Sequence, residues 1–303
     1  MRIGFLEKET AMSRVWLVVI LGAAALVHAP ALSTAGDDVL KAVPNDALAV
    51  VLFNRIAALD GKLQSLGQQL QAPIPSPLAR LKEKSGLRQG LDEKGTIALV
   101  VLPPTEGERI PSPILLVPVP DYAEFLKPFN VKKQPGPVKI DLGGMECWVR
   151  GVGSYAALAD PPRREALERS WEVSKEIPKG LLPWQGWLRE NDVAAVALPA
   201  GIKFGAARVR EALGMLKGVV QAVGQEAGEA AAVSFEMYGR LFDAVEKQTT
   251  LLGFAIRLEK RGALRLLSRA QLVPGSTFAR IAGEMKPAGE SPLAGLPDVP
   301  FVV

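Results

Sequence analysis

Histidine and cysteine are nearly missing from this sequence: each occurs once among 303 residues, as His28 and Cys147. A single cysteine cannot form an intramolecular disulfide, so burial of apolar side chains must stabilise the fold. The chain also lacks a Walker A loop, a G-x-S-x-G elbow, an S-x-x-K motif and a C-x-x-C motif. These absences argue against the commonest phosphate-binding, serine-nucleophile and dithiol sites.

No apolar run is long enough to cross a bilayer. The run from Val15 to Val27 has 13 residues, whereas a spanning helix needs about 20 and a secretory signal about 7–15. Residues 1–35 are therefore predicted to be a signal peptide, with either Met1 or Met12 as the start and cleavage before Gly36. Export to the periplasm or the outside of the cell follows, with no transmembrane helix in the mature chain.

Removal of this segment also removes His28, so the mature chain is predicted to contain no imidazole. Histidine-dependent nucleophilic triads and histidine-ligated zinc are then excluded, and we expect no metal or other cofactor. The loss of three basic and two acidic residues leaves 33 and 30, a net charge of +3. This charge is too small to indicate binding to nucleic acid.

The mature chain follows one order of elements twice, strand, helix, helix, strand, strand. The strand runs 45–52 and 191–198 (NDALAVVL and NDVAAVAL) are similar at an offset of 146 residues. We predict an α+β fold of two related β-α-α-β-β units, residues 36–180 and 181–303, with mainly antiparallel sheets and helices packed on one face. Phe301–Val303 ends inside a starting strand, so the second unit is expected to be incomplete; otherwise this segment pairs as an edge strand.

Local patterns predict the individual elements. Apolar residues at spacings of three and four give amphipathic helices after both repeated strands. Ser76 as N-cap and Pro77 in the first turn predict the start of another helix. The remaining predicted strands are 96–102, 114–119 and the hairpin 250–273.

Five blocks in the first predicted unit carry a resemblance to a known group of proteins. They are VPNDALAVVLF (43–53), PSPLARLK (75–82), GLDEKGTIALVVLP (90–103), ILLVPVPDYAEFLKPF (114–129) and YAALAD (155–160). With the preceding signal peptide, their order resembles uncharacterised exported proteins of planctomycete-type bacteria. This resemblance implies export and supplies no catalytic residues. In that group the chain continues beyond a PFVV-like strand.

Arginines dominate one face of the predicted hairpin. Lys260-Arg261-Gly262 fits a three-residue loop, and this register places Leu258 opposite Leu264 on an apolar face. On the other face Arg257 lies opposite Arg265, with Arg269 diagonally beyond. Like charges at opposite positions are destabilising, so this face requires carboxylate neighbours or binds an anionic envelope component such as a phospholipid headgroup or wall polymer.

Two tryptophans, Trp184 and Trp187, lie in a leucine- and proline-rich connector between the units. Exposed indoles in an envelope protein could stack on sugar rings. Tryptophans in such a connector more often fill the seam between two subdomains. Both interpretations remain open from the sequence.

Three further features are weighed as possible sites. Gly151–Ala156 matches the dinucleotide fingerprint G-x-G-x-x-[GA], but the following residues read as a strand, which favours a hairpin or bulge. Cys147 lies in a strand-like run and is expected to be a buried, inert thiol. The carboxylate pairs Asp92/Glu93 and Glu226/Glu229 are expected in a turn and on a solvated surface, respectively, rather than as glycosidase acids.

No catalytic, cofactor-binding or metal-binding residue is therefore predicted. The sequence favours an exported, non-enzymatic binding or structural module, whose partner is an anionic envelope component or another envelope protein. One alternative is a carbohydrate- or wall-acting hydrolase that uses carboxylates and the two tryptophans. Another is an anion-binding module in which Arg257, Arg265 and Arg269 contact the ligand.

Overall fold

A computed structural model describes residues 39–72, 74–85, 90–105, 107–168, 176–223, 225–259 and 263–285. The predicted signal peptide, the Lys260-Arg261-Gly262 turn and Phe301–Val303 lie outside the described residues, as do the side chains of Glu226 and Glu229. None of the helices in the described ranges is long and apolar enough to span a membrane.

Within the described ranges, nine strands form a single sheet in which every pairing is antiparallel. Their order across the sheet is β4-β5-β6-β3-β2-β1-β7-β8-β9. The strands are β1 (Ala49–Phe53), β2 (Ile97–Leu102), β3 (Ser112–Pro118), β4 (Val138–Leu142), β5 (Met145–Val152), β6 (Tyr155–Ala159), β7 (Val193–Ala197), β8 (Thr249–Leu258) and β9 (Leu264–Leu272).

Eight helices accompany the sheet in the described part of the chain, besides the helical residues 39–41 at its start. They are α1 (Ile56–Gln69), α2 (Pro77–Ser85), α3 (Tyr122–Leu126), α4 (Arg164–Glu168), α5 (Gln185–Glu190), α6 (Pro199–Val223), α7 (Gln225–Gln248) and α8 (Thr277–Glu284). Short 3-10 turns at Lys127–Phe129, Pro161–Arg163 and Leu182–Trp184 precede or follow three of them. The helices and the antiparallel sheet confirm the predicted α+β class.

Helices lie against both faces of the sheet, which corrects the prediction of helices on one face. Val50 and Leu52 of β1 share a core with the N-terminal segment Val39–Val43 and with α4 and α5. Val51 and Phe53, which point to the opposite face, pack near α1. Both faces are apolar because β1 is central and buried, so its sequence does not alternate between apolar and polar residues.

The middle of the sheet joins the two predicted units. β1 and β7 pair directly, with Val50 opposite Val196. The sequence on either side of residue 180 therefore contributes to one shared sheet. The proposed boundary at 180/181 stays a prediction about chain organisation.

The local signals in the sequence agree with the structure at two places. Ser76 Oγ accepts a hydrogen bond from Ala79 N (2.9 Å), as expected for the N-cap of α2. The β8–β9 pairing places Leu258 opposite Leu264 and Arg257 opposite Arg265, which confirms the predicted hairpin register.

Candidate functional site

The hairpin of β8 and β9 places all three candidate arginines on one face. Arg257 pairs with Arg265 and Gly253 pairs with Arg269, and alternate residues of a strand share a face. Trp184 and Trp187 pack against this same face at Gly253. We call the five side chains Trp184, Trp187, Arg257, Arg265 and Arg269 the tryptophan–arginine face.

Trp184 is the buried centre of this face. Its side chain is 1% exposed, and its indole N–H donates a hydrogen bond to Gln271 Oε1 (3.1 Å). A Cβ at Gly253 would lie 2.3 Å from Trp184 Cζ3, so only glycine leaves room for the ring. Trp187 is half-buried and meets Trp184 edge-on, with ring centroids 5.3 Å apart. Both rings thus fill a seam between α5 and β8.

Arg269 lies directly beside this seam. The Cζ atom of its guanidinium is 5.0 Å from the centroid of the Trp184 ring, which is the geometry of a cation–π contact. The side chain is exposed, and no carboxylate among the described residues forms an ion pair with it. The ring therefore positions an arginine whose N–H groups remain available to solvent or to an anion.

The other two arginines are paired with carboxylates. Arg257 donates to Asn191 Oδ1 and to Glu190 Oε2, both at 3.1 Å. Arg265 Nε lies 2.8 Å from Glu259 Oε1, and the Arg265 side chain is 61% exposed. These contacts explain how the sheet tolerates Arg257 opposite Arg265, and they leave the face with one more positive than negative side chain.

The arrangement favours anion binding over sugar stacking. A sugar ring stacks on an exposed aromatic face, and Trp184 offers none because it is buried under the chain. The carboxylates of this face, Glu190 and Glu259, each form an ion pair with an arginine. Exposed guanidinium groups at Arg265 and Arg269 are suited to phosphate or carboxylate ligands, which they bind through several N–H donors.

The dinucleotide-like segment forms a hairpin. Gly151 and Val152 end β5, Tyr155 begins β6, and Gly153 between them has a φ of 57°. A Cβ at Gly151 would lie 2.8 Å from the ring of Tyr122, so the packing of this ring requires glycine at position 151. The loop leads into a strand, so it has no helix N-terminus to hold a pyrophosphate.

The other candidate nucleophile and acids have structural roles. Cys147 is buried in β5, and burial raises the pKa of its thiol to about 12, so it stays protonated at neutral pH. Asp92 Oδ1 accepts a hydrogen bond from Lys94 N (3.0 Å) within the turn before β2. Glu93 forms an ion pair with Lys82 of α2 (2.5 Å).

A buried polar cluster that the sequence patterns did not indicate lies behind the tryptophan–arginine face. Lys62 Nζ of α1 donates to Asp192 Oδ1 (2.5 Å), and both side chains are almost fully buried. The other carboxylate oxygen, Oδ2, accepts from Leu258 N (2.9 Å) at the end of β8. The sign of this cluster in the sequence is Lys62, a charged residue within the apolar stripe of α1.

Asparagine side chains extend this cluster to the arginines. Asn54 Nδ2 donates to the carbonyl oxygens of Leu188 and Asn191, both at 2.7 Å, and its Oδ1 accepts from Thr96. Asn191 in turn accepts from Arg257. These hydrogen bonds hold α5, and with it both tryptophans, against the sheet.

Comparison with protein-family models, curated proteins and solved structures gives no significant match to this chain. The geometry of the chain itself is therefore the basis for a functional proposal.

Proposed function

We propose that this protein is an exported, non-enzymatic component of the cell envelope that binds an anionic ligand at its tryptophan–arginine face. The ligand chemistry is a phosphate- or carboxylate-bearing envelope component, such as an anionic phospholipid headgroup or wall polymer. The partner of the binding site is thus a surface or polymer rather than a small substrate that is turned over.

The proposal rests on the surroundings of Arg269, whose guanidinium lies over the ring of Trp184. A cation that is held over a buried, hydrogen-bonded indole loses less freedom on binding than an ordinary surface arginine. Arg269 has no carboxylate partner in the described ranges, and the exposed Arg265 lies on the same face four residues away along β9. Their Cα atoms are about 13 Å apart along the strand, so an extended anionic surface or polymer could contact both guanidinium groups.

The remaining candidate groups support binding rather than catalysis. The Cys147 thiol is buried and protonated, and the carboxylates on the face are paired with arginines. Among the described carboxylates, Asp92, Glu93, Glu190 and Glu259 each already have a hydrogen bond or an ion pair.

The proposal also includes export of the protein and an architecture of two related units. The apolar run Val15–Val27 with its small-residue cleavage site supports a signal peptide. The strand order β3-β2-β1 on one side of the central pair is matched by β7-β8-β9 on the other, and Val50 lies opposite Val196, the residue 146 positions later. That offset equals the offset of the similar strand sequences, which supports two related units arranged about a pseudo-twofold axis. The N-terminal sequence of the protein recovered from the envelope should begin at Gly36; retention of residues 15–27 would refute export by cleavage.

Vesicle binding tests the ligand proposal. The protein should bind vesicles that contain phosphatidylglycerol and should not bind pure phosphatidylcholine, and binding should weaken as salt increases. Arg269→Gln should reduce affinity about tenfold, the effect of losing one charge-assisted hydrogen bond of about 1.4 kcal/mol. Arg280→Gln is the matched control because Arg280 is also an exposed arginine, on α8, paired with Glu284.

The outcomes separate the alternatives. Equal loss in both variants would show that only net charge matters and would refute a specific site. Soluble polyphosphate that competes as well as the vesicles would indicate a polymer ligand rather than a membrane surface. Turnover of a wall polysaccharide that is abolished by one carboxylate substitution would replace the proposal with the hydrolase alternative.

A further inference from the structure

The outer edge of β9 is a free strand edge within the part of the chain that the structure describes. Among the described residues β9 pairs only with β8, and it stands last in the sheet. The Glu259 N to Ala263 O bond (2.9 Å) marks a hydrogen-bonded pair, and such pairs alternate along antiparallel strands. The backbone N–H and C=O groups of Leu264, Leu266, Ser268 and Ala270 therefore point away from β8.

Apolar side chains surround this edge. Leu266 is 72% exposed, Leu264 48% and the neighbouring Phe254 of β8 60%, all on the same face of the hairpin. The opposite edge of the sheet differs: β4 buries Val138 and Ile140 and exposes Lys139 and Asp141. Edge strands are normally protected by charge, proline or short length. β9 has nine residues and no proline, and its two charged side chains, Arg265 and Arg269, lie on the face opposite to the exposed leucines.

The sequence of β9 is complementary to itself. Two copies that pair antiparallel over all nine residues must be centred on Ser268, the midpoint of Leu264–Leu272. In this register Arg265 lies opposite Gln271 of the other copy, and Arg269 lies opposite Leu267. A shift of the centre to Leu267 or to Arg269 would set arginine directly opposite arginine, which is unfavourable.

We propose that the protein forms a symmetric dimer in which β9 pairs antiparallel with β9 of a second copy, with the twofold axis at Ser268. The two nine-stranded sheets then become continuous. Leu266 packs beside Ala270 of the other copy, and Leu264 beside Leu272, on the face that also carries Phe254. A twofold interface uses the same patch on both subunits, which fits a self-complementary strand.

Sedimentation velocity over a range of protein concentrations tests the dimer. The parent protein should sediment as a dimer, and Ser268→Pro should shift it to monomer at the same concentration. Proline removes an N–H that points away from β8, so the sheet itself loses no hydrogen bond. Ser268→Thr is the matched control, since it keeps the N–H and favours a strand, and it should remain dimeric.

Cysteine cross-linking tests the register and does not depend on whether the proline variant folds. Opposite residues in a hydrogen-bonded antiparallel pair have Cα atoms about 5.5 Å apart, within disulfide reach. Ser268→Cys should therefore form an intermolecular disulfide under mild oxidation, whereas Leu266→Cys, which lies opposite Ala270, should not. The native Cys147 is buried and does not interfere.

Four results would overturn the proposal. One is a monomer in which Ser268→Cys resists both cross-linking and maleimide labelling, because the edge is then covered by another part of the same chain. A second is a monomer in which Ser268→Cys labels freely with maleimide, because the edge is then unoccupied. A dimer that persists in a folded Ser268→Pro variant places the interface elsewhere, and equal cross-linking of Leu266→Cys excludes the Ser268-centred register.

Discussion

Alanine at Gly253 is expected to destabilise the protein through Trp184. The added Cβ would lie 2.3 Å from Trp184 Cζ3 and 3.0 Å from two ring atoms of Trp187. Ordinary contact begins at about 3.4 Å, so the Trp184 ring must move by about 1 Å. The ring has little freedom to do so, since it is 1% exposed and hydrogen-bonded to Gln271.

The direction of the stability change distinguishes a crowded site at Gly253 from an open one. Overpacking of this kind costs about 1–3 kcal/mol. In an open site the same substitution stabilises a strand by about 0.5–1 kcal/mol, because glycine loses more backbone entropy on folding. The net expectation is a loss of about 1–2 kcal/mol, or about 2–8 °C in Tm for a chain of this size.

Thermal unfolding followed by near-ultraviolet circular dichroism measures both stability and the environment of the tryptophans. Gly239→Ala in α7 is the control, since nothing lies within 4 Å of its added Cβ, and it should stabilise the protein by about 0.5–1 kcal/mol. A Gly253→Ala variant at least as stable as the parent, with an unchanged tryptophan signal, would refute the packing of Trp184 on this glycine.

Two further predictions concern buried groups. Asp192→Ala should lower the free energy of unfolding by about 3–5 kcal/mol in urea titrations, because it leaves the buried Lys62 without its carboxylate; a loss below about 1 kcal/mol would contradict this role. Burial raises the pKa of Cys147 from 9.0 to about 12 and that of Tyr122 from 10.0 to about 12. The folded state thus keeps protons that the unfolded state releases, so stability should fall as pH rises from about 9 to 12, and the native thiol should react with a disulfide reagent at pH 8 only after unfolding.

The parts of the fold that depend on residues close together along the chain could be predicted from the sequence. The register of the β8–β9 hairpin follows from its short loop and from the alternation of side chains, and the structure has Arg257 opposite Arg265 as expected. The N-cap of α2 needs only Ser76 and the residues after it. Both features depend on a few consecutive residues, so contacts with distant segments did not change them.

The composition of the site could be predicted only in part, because its contacts join distant segments. The sequence identified the arginines and tryptophans separately, but it did not indicate that Trp184 lies on Gly253, 69 residues later. The ion pair of Arg257 with Glu190 likewise requires α5 and β8 to meet across β7. The prediction of helices on one face was wrong because it overlooked a signal in β1, whose apolar run without alternation is typical of a strand that is covered on both faces.

The pairing of β1 with β7 has a consequence for how the polypeptide reaches its native state. About 140 residues separate the two strands along the chain, so β1 is synthesised long before its inner neighbour exists. Closure of so distant a contact carries a large entropic penalty and slows folding. Until β7 has been synthesised, a folding intermediate exposes the apolar strand β1 along the edge that later pairs with β7. A chaperone that covers this strand before folding is complete would increase the yield of folded protein.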